Sequence, residues 1–67
     1  MKLNYVIGQG GQFVDLLKIQ ESILDFQTQY QKHWQGKGYK ARVIQETGYD
    51  NSNGWKTETI LQIDIEV

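Results

Sequence analysis

The sequence predicts an α+β fold, a single small β-α-β-β domain over residues 1–67. Its apolar residues alternate near the start of the chain, then recur at steps of three and four, and then alternate again to the end. A period of two is typical of a strand, and a period near 3.6 is typical of a helix. These three patterns, in this order, predict a three-stranded antiparallel sheet with one long helix packed on one face.

The first strand is predicted over residues 2–7, where every second residue from Leu3 to Ile7 is apolar. The segment Gly8-Gln9-Gly10-Gly11 then leads into the helix, which is the position of a phosphate-binding loop. It departs from the dinucleotide-binding fingerprint because Phe13 stands where the third glycine belongs, and it lacks the Gly-Lys-Ser/Thr ending of a P-loop. We therefore interpret it as a flexible connection between strand and helix.

The helix is predicted from about Gln12 to Gln35, with Gly36 placed to end it. Its apolar stripe consists of Leu16, Ile19, Ile23, Phe26, Tyr30 and Trp34, widened by Phe13, Leu17 and Leu24. The opposite face is polar and consists of Asp15, Lys18, Glu21, Ser22, Asp25, Gln29 and Lys32. The stripe covers about half of the circumference, more than packing on a small sheet requires, so some of it should remain for a partner.

The last two strands are predicted over residues 39–46 and from Trp55 to the end, as a hairpin. Their apolar faces are Tyr39, Ala41 and Val43 in the first, and Trp55, Thr57, Thr59, Leu61, Ile63, Ile65 and Val67 in the second. The final strand is the longest and most apolar, which places it in the middle of the sheet and gives the order 1-3-2.

A two-residue hairpin loop is in conflict with these apolar faces. Asn53-Gly54 is typical of the centre of a two-residue type I′ turn. That turn would set Ile44 opposite Ile63 and place the two apolar faces on opposite sides of the sheet. We therefore expect an odd-numbered loop or a bulge, near Gly48, to restore a common core face.

Composition excludes several classes of protein. The chain has 67 residues, a net charge of −1, and neither cysteine nor proline. Without cysteine it can form neither a disulfide framework nor a cysteine-based zinc site, and its length allows only a marginal core. No signal peptide is recognisable, and no stretch approaches the ~18 apolar residues of a membrane span. We expect a soluble, cytoplasmic protein that does not act at a membrane.

Residues suited to catalysis are scarce. The chain has one histidine, His33, and two serines, and its carboxylates fall on faces predicted to be solvated. The segment 50–54 differs from a calcium loop, since its glycine comes one position early and no glutamate stands at the end. We therefore expect no enzyme activity, no catalytic residues, no metal site and no cofactor.

Surplus apolar surface is the main functional signal. Val6, Ile44 and Ile60 interrupt the charged outer face of the predicted sheet, and Tyr49 and Trp55 flank the hairpin loop. Scattered surface aliphatics are common, and Trp55 could instead cap one end of the core. Aromatic residues nevertheless anchor many interfaces, and small cores often gain stability by association. These five residues are our candidate protein-interaction site, and we expect a homodimer.

A basic segment offers an alternative site. Residues 32–42 carry a charge of +4, whereas residues 43–67 carry −4. Cations interleaved with aromatic rings can attract phosphates and stack on bases. The candidate nucleic-acid residues are Lys37, Tyr39, Lys40 and Arg42. The overall charge of −1 argues against a dedicated nucleic-acid binder.

The β-α-β-β order and the length resemble those of the dodecins, small flavin-binding proteins that assemble into shells. This resemblance lies in the element order alone, so it implies a fold and neither a ligand nor an assembly for this chain.

From the sequence we expect a small module that acts as a regulator or inhibitor by binding another macromolecule. Nucleic-acid binding is the alternative, and a small-ligand site lined by Trp34, Tyr5 or Trp55 is a third hypothesis. The exposed strand 39–46 could also accept an added strand. Small proteins without a catalytic site are frequent in phages and mobile elements, and such a source is our expectation.

Overall fold

The computed structural model describes residues 1–10 and 14–66. The strands and helix are β1 (Lys2–Gln9), α1 (Leu16–Gln29), β2 (Tyr39–Asp50) and β3 (Gly54–Ile65). The strands form one antiparallel sheet in the order β1-β3-β2, which confirms the predicted fold class. Three predicted features, Gly11 in the glycine segment, Phe13 in the helix stripe and Val67 in the last strand, lie outside the described residues.

An odd-numbered loop sets the hairpin register. It is one of the two solutions that the sequence predicted. β2 pairs with β3 without interruption as far as Asp50↔Gly54, and residues 51–53 remain in the loop. Gly48 pairs regularly with Lys56, so the bulge considered there is absent. The odd loop brings the apolar faces of β2 and β3 to the same side of the sheet, which we call the helix face.

The two-residue type I′ turn that Asn53-Gly54 is typical of does not form. That turn requires positive φ at both central residues, and no described residue other than glycine has a positive φ. Gly54 alone adopts the left-handed conformation here, at φ 76°. The loop is instead held by Asp50, whose carbonyl oxygen accepts the Asn53 N–H at 3.3 Å and whose side chain accepts the Ser52 N–H at 2.9 Å.

β1 carries the one register shift in the described sheet, between Val6 and Gly8. Ile7 lies at this bulge and is buried. Its carbonyl oxygen accepts the N–H of Asp15 at 2.7 Å, just before α1 begins. The bulge interrupts the regular edge of β1, and the chain entering α1 uses one of its free acceptors.

The α-helix is shorter than predicted. α1 ends at Gln29, and a separate π-helical turn follows at His33–Lys37. Tyr30 leaves the helical conformation, at φ −126° and ψ 47°. After this bend the Trp34 ring stacks on Tyr39, with ring centroids 5.7 Å apart. The sequence did not reveal the bend because Tyr30 and Trp34 continue the helical spacing of the stripe.

The core lies between α1 and β3. Phe26, Ile63 and Ile65 form its buried centre. Partly buried side chains pack around this centre: Leu3, Tyr5, Tyr30 and Leu61. The Phe26 ring also meets Tyr39 edge-on at 4.9 Å, so the aromatic residues close one end of the core.

The side of α1 that faces the sheet agrees only in part with the predicted one: Phe26 and Tyr30 of the stripe pack in the core, but two residues of the predicted polar face also turn inward. Ser22 was expected on the polar face but is buried, and its hydroxyl donates to the Lys18 carbonyl oxygen at 2.6 Å. Asp25 was expected there too, yet its carboxylate accepts the Tyr5 hydroxyl at 2.9 Å and the Gln29 amide at 2.8 Å. Burial, together with the hydrogen bond to Asp25, raises the pKa of Tyr5 to about 12.

Candidate interaction surface

The helix face of β2 is uncovered. Tyr39, Ala41 and Val43 were predicted to face the core, but the structure leaves all three exposed. The reason is the position of the helix. α1 lies along β1, which is separated from β2 by β3. The helix therefore leaves β2 uncovered even where β2 pairs with the core residues of β3.

Three leucines of α1 also point away from the core, and we call them the leucine ridge: Leu16, Leu17 and Leu24. Leu17 is 67% exposed and Leu24 is 60% exposed. They lie seven residues apart, on one side of the helix, with the uncharged Gln20 between them. The broad stripe indicated that apolar surface would be left over, but it did not reveal which leucines would supply it.

On the other face of the sheet, the structure brings three of the predicted interaction residues together. Val6 pairs with Ile60, and Ile60 pairs on its other side with Ile44, so the three side chains form one row across all three strands. We call this the aliphatic row. Ile60 is only 5% exposed because it is flanked on both sides, while Val6 remains exposed and Ile44 half-buried.

A polar row lies next to the aliphatic row. The Gln62 side chain donates to Asn4 Oδ1 at 3.0 Å and accepts Arg42 Nε and Nη2 at 2.9 and 2.6 Å. These bonds satisfy the buried Gln62 amide and hold the Arg42 guanidinium over the middle of the sheet.

The other two predicted interaction residues meet near the hairpin tip. β1 ends opposite Glu58, so beyond that point the hairpin continues as a two-stranded ribbon. Tyr49 and Trp55 are direct partners there, with ring centroids 5.4 Å apart, and they are 64% and 72% exposed. The alternative in which Trp55 caps the core is therefore wrong. The contact between the two rings stabilises the ribbon and leaves most of both rings exposed to solvent.

Three of the four candidate nucleic-acid residues line one cleft. Lys37, Tyr39 and Lys40 share it with the carboxylates of Asp64 and Glu66. Arg42 is directed to Gln62 instead. Mixed charges lower the attraction of the cleft for a polyanion.

The three aromatics of the small-ligand hypothesis lie at separate places. Trp34 stacks on Tyr39, Tyr5 is bonded to Asp25, and Trp55 is at the hairpin tip. His33, the one candidate for acid–base chemistry, is hydrogen-bonded through Nε2 to the Glu66 carbonyl oxygen at 2.8 Å.

No protein-family model, curated protein or solved structure matches this chain. Across residues 1–10 and 14–66, no helix has the length and apolar character needed to cross a membrane.

Proposed function

We propose that the chain is a small non-catalytic protein-interaction module, a homodimer that acts as a regulator or inhibitor by binding another protein. One observation carries the proposal. Among the described residues, five hydrophobic side chains are buried whereas eleven large ones are exposed. Single exposed apolar residues are ordinary, but here Leu17 and Leu24 lie on one side of α1, and grouped apolar residues are typical of interaction sites.

The chemistry of the leucine ridge favours a protein as the partner. The ridge offers apolar side chains separated by the neutral Gln20, and the one basic residue of α1, Lys18, is paired with Glu21, whereas a helix lying on anionic lipid is rich in Lys and Arg. An apolar side of a helix fits an apolar groove on another protein. The ridge lies outside the core cluster, so it can be covered without rearranging the fold.

The test is capture from host lysate, with and without nuclease, by the parent chain and two variants. Leu17→Gln/Leu24→Gln removes the ridge without changing charge. Lys18→Gln/Glu21→Gln removes the adjoining ion pair, 4.0 Å apart, keeps the net charge and leaves the ridge apolar. All three should show the same helical circular dichroism, because the substituted residues are exposed.

We expect the parent chain and the ion-pair control to capture one protein at a fixed stoichiometry, whether or not nuclease is added. The leucine variant should not capture this protein. Absence of any stoichiometric protein would contradict the proposal, and so would equal capture by all three chains. Capture that disappears with nuclease would replace the proposal with nucleic-acid binding. That alternative ranks second because two carboxylates share its cleft.

A further inference from the structure

β2 is an open edge strand. It pairs with β3 on one side and forms the outer strand of the sheet on the other. Its ladder with β3 runs over twelve residues with no register shift, and the chain contains no proline. Natural edge strands are usually short, bulged, covered, interrupted by proline or lined with charged side chains. Within the described residues, β2 has only the last of these protections, through Lys40 and Arg42.

The hydrogen bonds between Met1 and β3 show which backbone groups of β2 point away from the sheet. Met1 and Ile65 exchange both N–H···O bonds, at 2.8 and 2.9 Å. Because successive residues alternate direction in an antiparallel ladder, odd-numbered residues of β3 bond to β1 and even-numbered ones bond to β2. Their partners on β2 are even-numbered as well. Tyr39, Ala41 and Val43 therefore direct their N–H and C=O groups away from the sheet.

The order of charges along β2 is self-complementary. The first half carries Lys40 and Arg42, Ile44 stands at the middle, and Glu46 follows. Two antiparallel copies with Ile44 opposite itself place each Arg42 opposite Glu46 of the partner subunit. A two-fold centred on Val43 would set Arg42 opposite an isoleucine, and one centred one residue beyond Ile44 would set Ile44 opposite Glu46. Each alternative keeps a charge match only through Lys40, with Glu46 or Asp50 of the partner subunit, and each sets a charged side chain opposite an isoleucine. The register centred on Ile44 pairs Arg42 with Glu46 of the partner subunit and leaves no charge opposite an isoleucine.

The same register covers exposed apolar surface on both faces. The aliphatic row of one copy ends at Ile44 and continues directly into that of the other. On the helix face, Tyr49 meets Tyr39 of the partner subunit, whose ring stacks on its own Trp34. The aromatic pair at the hairpin tip of one copy thus reaches the aromatic end of the core of the other.

We propose that a second copy of this chain pairs with the β2 edge, antiparallel and centred on Ile44, to form a continuous six-stranded sheet. The inference deepens the proposed function, since it identifies the contact of the homodimer. Arg42 can join this contact without leaving Gln62, because a guanidinium carries five N–H donors and Gln62 takes two.

A single cysteine tests the centre of the contact. The chain contains no cysteine, so any disulfide formed by Ile44→Cys joins two copies. Ile44 would form a non-hydrogen-bonded pair with itself, with Cα atoms about 4.5 Å apart, within the range that a disulfide spans. Lys40→Cys is the matched control on the same face of β2, because its own copy would lie roughly 27 Å along the strand.

Under mild oxidation we expect Ile44→Cys to give a covalent dimer and Lys40→Cys to remain monomeric. Equal cross-linking of both variants, or none of Ile44→Cys, would overturn the proposed register. Circular dichroism of the reduced proteins checks that both fold.

Charge reversal gives a second readout that needs no cysteine. Arg42→Glu and Glu46→Arg should each weaken dimerisation about tenfold in sedimentation, and the double variant should recover most of the loss. Four chains with the same dissociation constant would overturn the pairing. The two proposals can fail separately. A monomer that still captures its partner through the leucine ridge would contradict only the proposed β2 contact. A cross-linked dimer that captures no protein would contradict only the proposed function as a regulator.

Discussion

The two edges of the sheet end in different ways. At β1 a bulge interrupts the strand, and the Asp15 N–H bonds to the Ile7 carbonyl oxygen at 2.7 Å. At β2 the ladder with β3 is regular for twelve residues, and Tyr39, Ala41 and Val43 direct their backbone groups away from the sheet. Local features of the chain thus restrict pairing at one edge, while the other retains the donors and acceptors that a further strand needs.

The same asymmetry divides the helix face. α1 lies along β1, and its Phe26 packs on β3, whereas Val43 on β2 is 60% exposed. One half of the face is therefore a core and the other half is a surface. Substitutions in the two halves should differ accordingly, which is the basis of the predictions below.

The largest contrast is expected between Phe26→Ala and Val43→Ala. Phe26 is 1% exposed, so its removal should lower the free energy of unfolding by about 3–5 kcal/mol and leave the chain largely unfolded. Val43→Ala removes an exposed side chain and should cost less than about 0.5 kcal/mol. Urea denaturation at low protein concentration measures both. Similar losses would mean that the β2 half of the face is covered within one chain.

The second largest loss of stability is expected from breaking the hydrogen bond that joins α1 to β1. Tyr5→Phe removes the hydroxyl that donates to Asp25 at 2.9 Å and should cost about 1.5 kcal/mol, since the acceptor is a carboxylate. Thermal unfolding measures the loss of stability in Tyr5→Phe and in a control variant, Tyr49→Phe, whose tyrosine lies in the exposed ribbon. A greater loss from Tyr49→Phe would contradict the assignment of α1 to the β1 side.

The pH dependence of the same variant has a definite sign. The pKa of Tyr5 is raised to about 12 in the folded chain, from an ordinary value of 10.0. The stabilisation is therefore complete below pH 10 and is lost as the pH rises toward 12, because the unfolded chain loses the proton first. The difference in unfolding free energy between the parent and Tyr5→Phe should narrow over this interval. A difference that stays constant in urea titrations would contradict the burial of this hydroxyl.

The smallest effect is expected where α1 begins. Asp15 caps the helix, its Oδ1 accepting the Leu17 N–H at 2.9 Å, so Asp15→Ala should cost about 1 kcal/mol. Asp15→Asn keeps an acceptor and should cost clearly less. Both variants retain the backbone N–H that bonds to Ile7, so neither should change self-association in sedimentation. Increased association of Asp15→Ala would show that the side chain itself protects the β1 edge.

Periodicity was sufficient to predict the fold class, the strand order and the need for either an odd-numbered loop or a bulge in the hairpin. It also predicted that Val6, Ile44 and Ile60 share the outer face, because a period of two assigns every residue of a strand to one side. Their direct alignment depends on register, which the bulge in β1 adjusts. A bulge is a local backbone irregularity that no side-chain pattern in residues 2–7 marks.

The side of the helix that faces the sheet was predicted less well. The stripe is so broad that several orientations would bury a similar apolar area. The hydrogen bond between Tyr5 and Asp25 favours the observed orientation, because it joins β1 to α1. Ser22 tolerates burial because its hydroxyl is satisfied within its own helix, and the leucine ridge then faces outward. Such pairings depend on tertiary structure and are invisible in helical spacing.

The central claim is that the β2 edge is open within one chain and is covered by a second copy. Residue-resolved amide hydrogen exchange tests it directly. We expect the outward amides of Tyr39, Ala41 and Val43 to exchange more slowly as the protein concentration is raised, while the Ile44 amide, bonded to β3, stays protected throughout. Exchange of the three outward amides at the same fast rate at every concentration would contradict the claim.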